Sequence, residues 1–124
     1  MRSFTLTLPI LLLFPIASCG GPPKTDGVLL VDWTVRGAKA TVDACAGIQH
    51  LDLQVSPDGA QNQVVISPID CVHDAAVRYQ NLSSGHATLE MIGFDVNGRQ
   101  LVSGSVRADI EKMVPIVPAT LDLR

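Results

Sequence analysis

The chain predicts an all-β protein, a single two-sheet sandwich of seven strands, and three observations carry that expectation. Apolar residues recur with a period of two in seven segments at roughly ten-residue spacing, the pattern of short strands that bury one face. Eight prolines and ten glycines are spread through the 124 residues, so few runs suit a helix. Turn-forming residues fall between the alternating segments, where strands must reverse.

Val28 to Arg36 forms the first strand, with Leu29, Val31, Trp33 and Val35 on one face. Trp33 is assigned to the core, since aromatics on strands more often fill a sandwich than stack on a sugar. Gly37 breaks this strand, and the segment to Gly47 is polar. Ile48 to Ser56 sets Leu51, Leu53 and Val55 against His50, Asp52 and Gln54, a half-buried strand. Pro57-Asp58-Gly59 turns the chain, proline presetting φ and glycine supplying a positive value. Val64 to Ile69 is a short strand that Pro68 marks as an edge or as its end. Ala76 to Leu82 centres on Val77 and Tyr79, and Ser83-Ser84-Gly85 turns. His86 to Val96 is expected to be the longest strand, with Ala87, Leu89, Met91 and Gly93 inward. Asp95-Val96-Asn97-Gly98 is the strongest hairpin signal, because Asn-Gly readily adopts the positive φ of tight turns. Arg99 to Arg107 returns as its partner. Met113 to Leu123 closes the fold, Val117, Ala119, Leu121 and Leu123 alternating; Pro115 and Pro118 predict an edge strand or a bulge at its start.

Ahead of the first strand, Arg2 supplies a positive start and Phe4 to Ile16 an apolar run of about a dozen residues, as in secretory signals. A spanning helix needs roughly 20. The run ends in Ile16-Ala17-Ser18-Cys19: aliphatic, small, small, cysteine. This resembles the lipobox of bacterial lipoprotein precursors. The resemblance implies that the leader, residues 1–18, is cleaved and that Cys19 receives a diacylglyceryl group and usually an acyl chain on its new N-terminus. Acyl chains contribute about 0.8 kcal/mol per buried CH₂, so two or three hold where one does not. The competing reading is an ordinary signal peptide followed by an accidental cysteine. Gly20 follows the cysteine where an aspartate would signal inner-membrane retention, so the same resemblance points to the outer membrane. Residues 19–27 form the lipidated tether and linker. Its nine residues reach at most about 30 Å, which keeps the domain at 28–124 close to the membrane surface.

Without the leader about 106 residues remain, enough for one domain. Loss of Arg2 takes the formal net charge from −3 to about −4, with acids and bases interspersed. No basic cluster suggests nucleic acid. Once Cys19 is acylated, Cys45 and Cys71 are an even pair in an oxidising compartment, and a structural disulfide is expected. Closing a loop of about 27 residues is worth on the order of 3.5 kcal/mol in the chain-entropy model. A metal pair would need a further Cys or His at short spacing, and a redox pair would more often show Cys-x-x-Cys.

Further residues carry a second resemblance. They are the Val31-Asp32-Trp33-Thr34-Val35 strand, Cys45-Ala46-Gly47-Ile48, Cys71, Leu82-Ser83-Ser84-Gly85, and the run from Leu89 through Gly98 to Leu101. Together they resemble small bacterial lipoproteins with a transthyretin-like or carboxypeptidase-regulatory-like domain, a Greek-key relative of immunoglobulin sandwiches. The resemblance implies a non-catalytic envelope domain. Ala87 departs from it, since relatives often carry an aromatic residue there.

Chemistry-bearing residues are sparse. His50, His73 and His86, with Asp74 beside His73, are candidates for metal or acid–base work, but their spacing fits no ligand motif, and solvent-facing histidines are the plainer reading. Met91 and Met113 would suit soft copper ligation with a histidine; the inner-face position of Met91 argues for packing. Ser83-Ser84-Gly85 and Ser103-Gly104-Ser105 lack the Gly-x-Ser-x-Gly frame. No phosphate-cradling glycine loop occurs, and the Asn81-Leu82-Ser83 sequon is treated as chance. No catalytic set, cofactor or metal is assigned. Ile92 and Phe94 fall opposite the core set on the long strand; exposed, they would form a partner-binding patch, whereas local burial under the hairpin is the alternative. The expected function is a lipid-anchored domain that binds or associates with an envelope protein. The alternative is a small-ligand binder for carbohydrate or metal, and an aromatic content of 4% speaks against sugar stacking.

Overall fold

The computed structural model describes residues 25–59, 63–115 and 117–124. The expected leader, Cys19 and most of the expected tether lie outside these residues. The described residues form eight strands, one more than the seven alternating segments: β1 (Gly27–Val35), β2 (Ala38–Lys39), β3 (His50–Pro57), β4 (Val64–Ile69), β5 (Val77–Leu82), β6 (Gly85–Phe94), β7 (Gln100–Ile110) and β8 (Ala119–Leu123). Among the described residues there is no helix.

The strands form two four-stranded sheets. In the first, β1 is central. Val31 pairs with Val77 of β5 and Ala119 of β8, and Thr34 pairs with Lys39 of β2 and Asp122 of β8. A residue offers one pairing edge to each side. Strands β5 and β2 therefore follow one another along one edge of β1, and β8 runs parallel along the other. The second sheet has the order β4-β3-β6-β7, antiparallel throughout.

The core lies between the sheets and follows the pleat. Leu29, Val31, Trp33 and Val35 of β1 face Leu51, Leu53 and Val55 of β3 and Ala87, Leu89 and Met91 of β6, all buried. Each large side chain contributes about 1.5–3 kcal/mol by leaving water. No charged or polar residue is buried among the described residues.

The two sides of the sandwich differ. On one, β7 and β8 seal the sheets: Ser103 N–H donates to the Arg124 carbonyl at 3.0 Å and Arg124 N–H donates back to Ser103 at 2.9 Å. Gly104 permits this approach, because a Cβ there would stand 2.6 Å from the Asp122 carbonyl oxygen. On the other side, β4 and β5 are the outer strands and are not hydrogen-bonded to each other. Ile66 and Ile69 of β4 pair with Leu53 and Leu51, so the strand carries an extra residue at Ser67-Pro68. A proline is tolerated at such an edge bulge, where no ladder donor is required.

Several expectations change. The segment after Gly37 holds β2, and Arg36-Gly37, with φ of 50° and 80°, makes a two-residue hairpin turn between the paired Val35 and Ala38. Strand β7, at 11 residues, is longer than β6 at 10, because it continues past Arg107 until Ile110 pairs with Gly85. In the β6–β7 hairpin Gly98 has a positive φ and Asn97 does not. The turn is closed by Gly98 N–H donating to the Asp95 carbonyl, while Asp95 Oδ1 accepts the N–H groups of Asn97 and Arg99. Strand β8 begins only at Ala119, and Val117 is 76% exposed. Pro115 and Pro118 lack the donors a ladder would need.

Candidate functional site

The open side gathers the side chains with chemistry. Strand β1 pairs with β5 as far as Val31 and with β2 from Thr34, which leaves Asp32 and Trp33 unpaired by any strand along that edge. The connection after β4 fills this gap. Its position is fixed by the Cys45–Cys71 disulfide, with Cα atoms 5.9 Å apart, tying the segment before β3 to the exit of β4. Trp33 Nε1 donates to the Cys71 carbonyl at 2.9 Å in a buried contact. The His73 ring stacks on Trp33 with centroids 3.8 Å apart. His73 Nε2 donates to Asp32 Oδ1 at 2.5 Å, and Nδ1 lies 3.3 Å from the Cys71 carbonyl. The His73 main-chain N–H donates to Ala40, just beyond β2. The Trp33 N–H is satisfied by Asp32 Oδ1 at 2.8 Å, so the gap leaves no orphan donor there.

Below this latch a cleft of about 360 Å³ opens between β4 and β5. Ile66 and Pro68 line one wall, Val77 and Tyr79 the other, and Val72 and His73 stand at its head. Burial raises the Tyr79 phenol above its ordinary pKa of 10.0. Chemically the cleft is a mainly apolar groove whose lining also carries the Tyr79 phenol, the Asp70 carboxylate and the His73 imidazole. Nε2 of His73 is engaged by Asp32 and Nδ1 faces the Cys71 carbonyl, so the ring is held in place by the fold at the head of the cleft.

The structure does not bring the three histidines together. His50 lies 3.3 Å from Asp52 and stacks on Phe94, His73 holds Asp32, and His86 holds Asp109. Among the described residues no three His, Cys, Asp or Glu side chains are grouped to hold a metal ion. His73 departs from the solvent-facing expectation, its side chain being only 10% exposed, and its carboxylate partner is Asp32 and not the adjacent Asp74. Met91 is fully buried and Met113 is 78% exposed. Ile92 and Phe94 are half-buried on the outer face of β6, Ile92 between Asp52 and Ser103, and Phe94 against His50.

Asp32 is the residue that sequence reasoning missed. It is separated from His73 by 41 positions, and its one local signal is a carboxylate on the outward face of a strand in which Thr34 is the only other polar side chain.

Fold and site together define a disulfide-stapled, two-sheet β domain with one sealed side and one open side bearing a cleft. Among the described residues no helix is long and apolar enough to cross a membrane. Comparison with known protein families, with curated proteins and with solved structures finds no match.

Proposed function

We propose that this protein is a lipid-anchored domain of the bacterial cell envelope that acts by binding an envelope protein, with the open side of the sandwich as its contact surface. The observation that carries this reading is the mainly apolar cleft flanked by β4 and β5. Both are edge strands whose outer main-chain groups have no ladder partner among the described residues. An extended segment adding to such an edge gains main-chain hydrogen bonds and places alternate side chains in the groove. Anchoring through Cys19 at the outer membrane rests on the pattern around that cysteine. It is supported by the disulfide, because such bonds persist in oxidising compartments. A Greek-key relation to immunoglobulin-like and transthyretin-like sandwiches is part of the proposal. Its support is that β5 crosses to the facing sheet between the β3–β4 and β6–β7 hairpins.

The test is site-specific photo-cross-linking in intact cells, with the cross-linker at Tyr79 in the cleft or at Val96 on the distant hairpin. The expected result is one reproducible protein joined from position 79 and absent from position 96. Identical patterns from both positions, or nothing joined at 79, would overturn the cleft as the contact surface. Intact mass of the membrane-extracted chain tests the anchor separately. A mature chain beginning at Cys19 with diacylglyceryl mass is expected, and its absence would overturn anchoring alone.

A further inference from the structure

We infer that the loop after β7, around Met113, Val114 and Val117, docks on the phospholipid surface beside the anchor and sets the orientation of the domain at the membrane. The inference rests on the lipid-anchored reading of Cys19. Met113 is 78% exposed, Val114 51% and Val117 76%, so three apolar side chains within five positions face water. Pro115 and Pro118 deny this stretch the donors that would let a strand cover it. Its foot is tied to the start of β1: Val28 N–H donates to the Glu111 carbonyl at 2.6 Å, and Lys112 Nζ lies 3.9 Å from Asp26. The tether therefore meets the domain next to this loop. Six residues take the chain from Cys19 to Thr25, a reach of at most about 22 Å, so an acylated Cys19 keeps Thr25 within that distance of the bilayer and the foot of the loop close by.

Charge is confined to the foot of the loop. Asp26, Asp109, Glu111 and Lys112 stand at the foot of the loop, and positions 113 to 118 carry no charge. Apolar groups can thus enter the headgroup boundary, about 5–10 Å deep, while the ionised groups remain in water. The β6–β7 hairpin lies at the far end of the domain, because Ile110 pairs with Gly85 whereas Gln100 pairs with Phe94. Ten residues of strand put Val96 about 30 Å from the loop.

The experiment uses the full lipidated chain reconstituted in phosphatidylethanolamine–phosphatidylglycerol vesicles, with Val117→Trp or Val96→Trp compared with the parent, whose Trp33 is buried. Emission from Val117→Trp should shift to the blue and be quenched by brominated lipid, and that from Val96→Trp should do neither. Adding Met113→Asp to Val117→Trp should remove the quenching while the melting temperature is retained. Absence of quenching at position 117 in a chain whose mass carries the lipid would overturn docking and leave anchoring intact. A chain without lipid mass would overturn anchoring, and quenching at 117 in that chain would still support the loop as a lipid contact. A blue shift that appears without vesicles and grows with protein concentration would assign the loop to a second copy of the chain.

Discussion

Asp122 receives three donors at once: the Thr34 hydroxyl at 2.7 Å and the Gly37 N–H at 2.8 Å on Oδ1, and Arg124 Nε at 2.6 Å on Oδ2. The Thr34 bond, followed by the Gly37 bond, holds its carboxyl below the ordinary value of 3.8. The Arg99 N–H does the same for Asp95, and the Arg107 guanidinium for Asp58. A carboxylate depressed in the folded state binds protons more weakly than in the unfolded chain. These groups therefore contribute stability that is full above the ordinary value and lost as pH falls through the depressed ones. Thermal melts taken from about pH 6 down to about pH 2 should show it. Asp122→Asn should melt below the parent at neutral pH, and the gap should close in acid as the parent is protonated. A gap of equal size at both ends would remove the Asp122 charge from the account. At this scale little was legible beforehand. Thr34 and Asp122 lie 88 positions apart and Asp32 and His73 lie 41 apart, and only strand pairing makes them neighbours.

Elements were legible where the two faces of a strand differ sharply. In β1, β3 and β6 the inward residues are those the period-two pattern selects, from Leu29 to Val35, Leu51 to Val55 and Ala87 to Gly93. Strand β2 was not, because two residues, Ala38 and Lys39, carry no periodicity and are placed by the turn before them. The closing stretch from Met113 was read from the alternation of Val117, Ala119, Leu121 and Leu123, with an edge or bulge at its prolines, and only its part from Ala119 forms a ladder. The Arg36-Gly37 turn yields a prediction. Arg36 holds a φ of 50°, which crowds the Cβ of an L-residue, whereas asparagine is favoured at the first position of this turn type. Arg36→Asn should raise stability by about 0.5–1 kcal/mol, read as a rise of a few degrees in Tm. A fall in Tm would show that the arginine side chain contributes more than its backbone strain costs.

The whole molecule is held by different means on its two sides: main-chain bonds and a close-packed glycine seal β7 to β8, while the Cys45–Cys71 bond and the Trp33–His73–Asp32 latch hold the cleft side. Replacing both cysteines by alanine should therefore cost about 3.5 kcal/mol and lower Tm by roughly 15 °C or more. The melt is compared with that of the oxidised parent, and a shift of only a few degrees would place the stability elsewhere. The parallel seam has a consequence for timing. One edge of β1 is completed by β8, whose Ala119 meets Val31 across some ninety intervening positions. Closing so long a loop yields no contact until both strands exist. During synthesis the first strand thus waits, with one edge open, for the eighth.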